Sequence, residues 1–413
     1  MDWSRESVMM QHVYGHAYCV VSSCSSSDDK GRLFSPREPF DVAQIPLAPG
    51  HREQLNVRLR DADNHALWEF QGSPITTRAW TLQERLLAKR ILHFHEHRIY
   101  FECATTFISE EGEQLGGFIQ FKWTGTQTWV NIVQRAEESA RDLVKENLAA
   151  GSYDLQWKPE SYKSTGRFSD FWCLTVEEYT QRALTKTSDK LAAIDGLAQQ
   201  IQSRSGKRYC AGIWLDSAYN ELGWAIVNGQ PSKSNRAPSW SWASIDGEVE
   251  WGYRNLPLLN KIPALKIHDW DLRRMVASGR TKQALILAPT DQTISEEIGT
   301  GDLDDQDSGP LWSMMSLDSD VSKDLNARSD IGQKTTAIPV TCFQISVFKS
   351  SKNRDRWFLG EFRPPHYMVS QVLLLEQVQA PGSRIPNFKR VGSGCIQDEF
   401  WFKDVADTEL TVL

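Results

Sequence analysis

A change of hydrophobic period between residues 78 and 103 constrains the fold of this chain more than any other feature. From Arg78 to Lys89 the apolar residues recur at helical spacing, whereas residues 91–103 alternate with the period of two that strands show. We therefore predict a helix followed by two strands, at 91–94 and 98–103, around a turn at 95–97. In the second strand we expect one set of side chains to face the core (Ile99, Phe101, Cys103) and the other to face away (Arg98, Tyr100, Glu102).

Glu84 is the residue of this helix with the widest range of possible roles. Thr81 and Glu84 have the spacing of a capping box, in which both side chains bond backbone N–H groups at a helix start. If the helix begins earlier, near Thr77, Glu84 shares an apolar face with Trp80, and burial would raise its pKa unless a cation compensates. The nearby cations are Arg78 and Arg85. Carboxylates of this kind occur in structural ion pairs and in active sites, so both interpretations stay open.

Three histidines, His93, His95 and His97, alternate across the predicted turn and could in principle bind a metal ion together. No cysteine or carboxylate at suitable spacing completes a tetrahedral site. We therefore expect histidines that face the solvent, and no metal site.

Composition excludes several classes of function. The 413 residues are 40% hydrophobic and 24% charged, which is typical of a globular protein with two or three cores. The net charge is −7 and basic residues do not cluster, which argues against nucleic-acid binding. No segment approaches the roughly 20 apolar residues of a membrane span, and the first residues lack the apolar core of a signal peptide. Seven scattered cysteines without CxxC spacing indicate reduced thiols and a cytoplasmic location.

The hydrophobic pattern divides the chain into three regions: 1–118, 119–250 and 251–413. The first carries a helix from Asp2 and a strand at 17–23, and the second carries predicted helices at 129–148 and from Ser188 to Gly206. In the second region, Trp240 and Trp242 alternate with serines and are predicted to lie on one face of a strand. The third region is predicted to be β-rich, with an acidic loop near 295–330 and strands at 284–288, 342–348, 357–362, 369–376 and 388–396.

Three blocks of this sequence resemble the fungal heterokaryon-incompatibility (HET) domain and the segment that follows it. They are the first helix with Gly31-Arg-Leu-Phe-Ser-Pro-Arg37, the block from Arg78 to Cys103, and Ser188-Asp-Lys with Ala237-Pro-Ser-Trp-Ser-Trp-Ala-Ser244. The family's upstream Tyr-x-Trp-Gly and Trp-Ile-Asp elements are absent, so we expect only the second half of the domain. The resemblance implies a role in non-self recognition and programmed cell death, and a partial α/β domain similar to Toll/interleukin-1 receptor (TIR) domains. The expected fold class is thus α/β moving to α+β, with a helical segment and a β-rich C-terminal region.

The resemblance also sets the functional alternatives. Some TIR domains hydrolyse NAD with a glutamate, which would make Glu84 the catalytic residue here, with Arg78, Trp80, Gln83 and Arg85 as its signature neighbours. Because the upstream half would supply part of a nucleotide pocket, we predict instead an interaction or signalling module without a cofactor, acting on a protein partner or by self-association. A degenerate, truncated family member is a further alternative.

Two other enzyme classes were weighed from the residues alone. A cysteine-nucleophile enzyme needs a Cys with a His base, and no feature of the sequence singles out one cysteine. A carbohydrate-cleaving enzyme could use Asp246 and Glu248, but alternating carboxylates at the end of a strand are usually solvated.

Overall fold

The fold is described from a computed structural model. The described residues are 3–28, 30–34, 42–46, 54–58, 73–96, 98–103, 106–112, 168–251, 262–287, 297–302, 311–317, 337–349, 368–379, 382–396 and 401–413. They form a mixed structure in which strands outnumber helices, which confirms the mixed α and β class. The chain divides into two compact units: unit 1 comprises Met1–Ser139, Arg182–Thr185 and Ala192–Gln200, and unit 2 comprises Ala140–Gln181, Lys186–Leu191 and Ile201–Leu413.

Unit 1 contains a four-stranded mixed sheet with helices beside it. Its elements in chain order are α1 (Trp3–His16), β1 (Val20–Ser23), β2 (Val42–Pro46), β3 (Gln54–Arg58), a 3-10 helix (Pro74–Thr77), α2 (Trp80–Leu87), β4 (Arg90–Phe94), β5 (Ile99–Cys103) and β6 (Phe107–Ser109). The sheet has the order β1-β4-β5-β6, with β1 parallel to β4 and the other pairs antiparallel. Strands β2 and β3 form a separate hairpin. The predicted helix and hairpin of residues 78–103 are therefore confirmed.

The sheet of unit 1 buries the face that the sequence pattern assigned to solvent. Tyr100 and Glu102 of β5 are 0% and 1% exposed, whereas Ile99, Phe101 and Cys103 are only half-buried. On β4 the same buried face carries Ile91 and His93. The prediction was wrong because a carboxylate was assumed to need water, and here Glu102 has protein partners that replace it.

Unit 2 begins with helices that enclose a tryptophan core. Its elements up to residue 251 are α3 (Phe168–Thr180), α4 (Ala192–Ser205, whose first nine residues belong to unit 1), β7 (Tyr209–Cys210), β8 (Ile213–Trp214), α5 (Ala218–Glu221), β9 (Ala225–Pro231) and β10 (Ile245–Glu250). Helix α4 ends at Gly206, whose φ of 67° is the left-handed conformation that glycine tolerates, as the sequence predicted. The predicted helix at 129–148 lies outside the described residues.

Trp240 and Trp242 lie in this core, but on a turn and a short 3-10 helix (Trp242–Ser244) instead of the predicted strand. Both are fully buried. The ring N–H groups of Trp172 and Trp242 donate to the Gly212 carbonyl at 2.8 and 2.9 Å. A Cβ at Gly212 would lie 2.5 Å from the Trp242 ring nitrogen, so glycine is required for this approach. The intervening Ser241 is buried too, since its hydroxyl donates to the Ala211 carbonyl at 2.5 Å, and this hydrogen bond replaces water.

A nine-stranded sheet forms the rest of unit 2. Its strands are β11 (Ile262–Pro263), β12 (Lys266–Trp270), β13 (Met275–Leu287), β14 (Glu297–Asp302), β15 (Leu311–Leu317), β16 (Ala337–Lys349), β17 (Met368–Val378), β18 (Asn387–Ile396) and β19 (Asp407–Val412). The C-terminal half of β13 pairs with both β14 and β16, and its N-terminal half pairs with β12 and β19. Because β13 pairs with both β14 and β16, the strands β13-β16-β17-β18-β15-β14 form a closed circuit. This arrangement satisfies both edges of those strands.

The β-rich prediction is confirmed at four of its five strands, and the fifth, 357–362, lies outside the described residues. The predicted acidic loop is wrong in part, because β14 and β15 lie within residues 295–330. Backbone pairing with β13 and β15 holds residues 297–302 of this stretch in the sheet.

Candidate functional site

The signature helix α2 begins two residues too early for the predicted capping box, in which Thr81 would be the N-cap. Its N-cap is Ala79, which makes no side-chain cap. Thr81 instead shares its hydroxyl proton between the carbonyls of Ile75 (2.6 Å) and Arg78 (2.7 Å), joining α2 to the 3-10 helix before it. Glu84 therefore lies in the second turn, beyond the N–H groups that a capping carboxylate reaches, and the capping-box prediction is wrong.

Glu84 instead faces α1. The Tyr14 hydroxyl donates a hydrogen bond to its carboxylate, and Arg78 is the nearest cation acting on it. Burial raises the pKa of Glu84, and the Tyr14 hydrogen bond and Arg78 charge oppose that rise without cancelling it. Burial, together with the Glu84 charge, raises the pKa of Tyr14 as well. Trp80, one turn before Glu84, is half-buried.

Gln83 is the signature residue with the least satisfied side chain. It is 0% exposed, and within the described part of the chain its amide nitrogen and oxygen have no hydrogen-bond partner. The amide oxygen would lie 2.9 Å from a Cβ placed at Gly196, so α4 approaches Gln83 closely only because residue 196 is glycine. A buried amide without partners costs stability, typically about 1–3 kcal/mol.

Arg85 does not pair with Glu84 but holds a buried carboxylate on the sheet. Its Nε and Nη2 atoms donate to the two oxygens of Glu102 at 2.9 and 3.2 Å. The Glu102 Oε2 atom also lies 2.7 Å from His93 Nε2. Although burial alone would raise it, the charge of Arg85 and the His93 hydrogen bond hold the pKa of Glu102 at about 2.

The chain of contacts continues from His93 to a cysteine. His93 Nδ1 lies 3.8 Å from Cys24 Sγ, and both residues are buried. Because the ionised Glu102 can only accept, His93 must carry its proton on Nε2, which leaves Nδ1 as the acceptor for the Cys24 thiol. Burial lowers the pKa of His93, so the ring is neutral. Arg85, Glu102, His93 and Cys24 thus form one hydrogen-bonded relay in unit 1, which we call the Cys24 relay.

The histidines of the hairpin differ from their prediction. His93 and His95 are 3% and 7% exposed, so the solvent-facing assignment is wrong for both, while His97 lies outside the described residues. Burial lowers the pKa of His95 to about 3, because the site excludes the water that an imidazolium needs. Among the residues that the structure describes, no group of three or more potential ligands could hold a metal ion.

The sequence identified the signature residues but not the Cys24 relay. Arg78, Trp80, Gln83, Glu84 and Arg85 all lie on or beside α2, as their spacing requires. His93 and Glu102 come together through the β4–β5 register, in which His93 opposes Tyr100 and Ile91 opposes Glu102. The diagonal position of His93 and Glu102 on the predicted hairpin could have indicated their contact. No local sequence pattern indicates that Cys24, 69 residues from His93 along the chain, lies beside it.

The carboxylates weighed for carbohydrate cleavage are placed differently from a catalytic pair. In β10, Asp246 accepts from Arg236 Nη1 at 2.5 Å. Arg236 also donates from Nη2 to the Ile245 carbonyl at 2.7 Å. Asp246 is therefore engaged in fixing the edge of the β9–β10 hairpin.

Comparison with known proteins agrees with the motifs. No curated protein and no solved structure shows a significant match to this chain. Among the described residues no helix is both long and apolar enough to cross a membrane. Residues 1–84, which include α1, β1 and the start of the signature block from Arg78 to Glu84, match the family described as heterokaryon incompatibility protein (HET). This segment, residues 1–84 of the 413, is therefore similar to the HET family.

Proposed function

We propose that this protein acts in heterokaryon incompatibility as a cytoplasmic signalling module that binds a protein partner or a second copy of itself, and so leads to cell death. Unit 1 is the part that carries this activity, as a TIR-like domain. The observation that supports the proposal most is an exposed apolar face on α1, within the segment that matches the HET family.

Met9 and Val13 form this face. They are 46% and 58% exposed and lie one helical turn apart, so their side chains adjoin on the helix surface. Beyond the end of α1, Tyr18 and Val21 are also exposed, at 83% and 54%. Exposed apolar side chains that cluster in this way are typical of interaction surfaces.

The contacts of Glu84 also favour an interaction module. Its carboxylate accepts from Tyr14 of α1 and faces Arg78, so it links α1 to α2. A residue with this role positions α1, and with it Met9 and Val13.

The test is expression of the full chain in fungal hyphae, with cell death scored by uptake of a vital dye. We expect the Met9→Glu/Val13→Glu double variant to lose both cell death and co-purification with a partner or a second tagged copy. The control His12→Glu adds a charge at an exposed polar position of the same helix and should leave both unchanged. Cell death at the wild-type level in the double variant, with normal expression, would refute the proposal.

The electrostatics of Glu84 support a second candidate, hydrolysis of NAD. A half-buried carboxyl with a raised pKa, beside a tryptophan and an arginine, has the character of a catalytic acid or of a group that stabilises developing positive charge. Purified chain incubated with NAD would then release nicotinamide, and Glu84→Gln would abolish the release while Glu110→Gln, at an exposed position, would not. If the wild-type chain releases none, the second candidate is excluded and the first is not affected.

A further inference from the structure

Cys24 lies where the parallel strands of unit 1 end. It follows β1 directly, and its N–H donates to the Phe94 carbonyl at the end of β4 (2.8 Å). Because β1 and β4 are parallel, the residues after β1 and the last residues of β4 meet at one edge of the sheet. In open α/β sheets this carboxyl edge is the usual place of a binding site.

The three groups that nucleophilic catalysis by a thiol needs are present in the required order. Cys24 Sγ lies 3.8 Å from His93 Nδ1, and His93 Nε2 lies 2.7 Å from Glu102. Arg85 fixes the carboxylate from α2 with two hydrogen bonds. The base therefore points the Nδ1 lone pair at the thiol, and a third group holds the base in that tautomer.

We propose that Cys24 is a nucleophile for small, uncharged electrophilic carbonyl compounds such as activated esters and thioesters, with His93 as its base and Glu102 and Arg85 as positioning residues. In the reaction Cys24 Sγ bonds to the carbonyl carbon while its proton passes to His93 Nδ1. The bond to the leaving group then breaks, the leaving group takes that proton, and an acyl thioester remains on Cys24. Since Arg85 and Glu102 neutralise each other, the buried site favours an uncharged substrate.

Cys24 differs from the inert buried thiols of this chain. At Cys342 burial alone raises the pKa to about 12. At Cys24 hydrogen bonds with Ser22 and Ser73 and the charge of Arg85 oppose the effect of burial, although its pKa is still raised. The Ser22 hydroxyl lies 3.4 Å from Cys24 Sγ. Such neighbours are what a reactive thiol needs and what a structural thiol lacks.

The first test is the pH dependence of alkylation by iodoacetamide, with each cysteine followed by mass spectrometry in the native full chain. The ionisable groups that act on the thiol are His93 of β4, Glu102 of β5 and Arg85 of α2. A thiol that reacts only as free thiolate speeds up by roughly 100-fold between pH 6 and 8, since the thiolate is the nucleophile. With His93 neutral throughout, we expect the Cys24 rate to change less than about threefold, whereas Cys173 and Cys342 show the steep dependence.

Glu102→Gln separates base assistance from access. Loss of the buried ion pair loosens unit 1, so a thiol limited only by access would react faster. If His93 assists, the variant reacts more slowly, because a glutamine can donate as well as accept and so no longer restricts His93 to the Nε2–H tautomer. Glu96→Gln, at an exposed position of the same hairpin, is the matched control.

The second test uses p-nitrophenyl acetate as the electrophile. We expect a burst of about one equivalent of nitrophenolate per chain that is absent in Cys24→Ala. A Cys24 alkylation rate that follows the thiolate fraction, faster alkylation in Glu102→Gln, or a burst unchanged in Cys24→Ala would each overturn the proposal.

Discussion

Replacing Arg85 by methionine tests the central electrostatic feature of unit 1. Glu102 is 1% exposed, and its carboxylate is held by Arg85 and His93. Removing one partner of a buried ion pair typically costs about 3–5 kcal/mol, because the other charge stays buried without compensation. The lowered pKa of Glu102 agrees: its displacement from 4.5 to about 2 corresponds to roughly 3 kcal/mol of preference for the ionised form.

Hydrogen exchange of the amides in β4 and β5, followed by mass spectrometry, measures this loss locally. Each 1.4 kcal/mol corresponds to about tenfold, so Arg85→Met should speed the exchange of peptides covering 90–103 by roughly two to four orders of magnitude at pH 7. The tryptophan core of unit 2 makes fluorescence a poor probe of this change. The control is Arg274→Met, because Arg274 and its partner Asp269 are 51% and 61% exposed and such pairs contribute less than about 1 kcal/mol.

The pH dependence of the variant provides an internal check. In Arg85→Met the remaining partner of Glu102 is His93, and an imidazolium there would restore neutrality. That gain raises the pKa of His93 in the folded state, so the added stability is present below about pH 6.5 and is lost as pH rises. The defect should thus be smaller at pH 6 than at pH 8. Protection within about fivefold of wild type at pH 7 would refute the reasoning that the pair is buried and uncompensated.

Three other substitutions test single buried groups. Burial lowers the pKa of His95 to about 3, so below pH 6.5 the unfolded state binds a proton that the folded state does not, and the folded state loses stability as pH drops from 6.5 towards 3. His95→Gln should reduce this loss in thermal melts followed by circular dichroism, and an unchanged slope of melting temperature against pH would contradict the prediction. Lys190 donates to the carbonyls of Ile245 (2.5 Å) and Gly247 (3.0 Å), and burial lowers its pKa to about 7. The wild type should therefore become more stable to urea between pH 7 and 10, whereas Lys190→Met should lack this increase and should also lose about 1–3 kcal/mol because the two carbonyls are left unpaired. An equal increase in the variant would show that another group titrates. Gln83→Met removes a buried amide without partners among the described residues and should keep or raise the melting temperature. A decrease of more than about 2 kcal/mol in the free energy of unfolding would reveal a partner for that amide.

Much of unit 1 follows from local pattern. The period of 3.6 at Trp80–Leu87 and the period of two at 90–103 predict a helix and a hairpin, because each face can be buried only in that conformation. The end of α4 at Gly206 follows from the same local chemistry, since a left-handed residue favours glycine. The start of α2 was less predictable, because the Thr81 hydroxyl can either donate to a carbonyl or accept from a backbone N–H. The 3-10 helix before α2 places carbonyls beside Thr81, so the hydroxyl donates.

The inward direction of Glu102 could not be predicted in the same way. Alternation defines two faces of β5 but does not say which is covered, and polarity alone favours Glu102 outside. The face is decided by Arg85, which reaches the carboxylate from α2, and by His93 on the neighbouring strand. A buried carboxylate of this kind is where local sequence rules and tertiary packing disagree.

The sequence alone thus determined the family match of residues 1–84, the helix with Glu84 and the strands on which His93 and Glu102 lie. These depend on residue order over one or two turns, which local sterics and periodicity control. Only the tertiary structure decided that Cys24 meets His93 across the parallel β1–β4 pair. Parallel pairing joins segments that are distant along the chain, so its register depends on the packing of the whole unit and leaves no trace in local spacing.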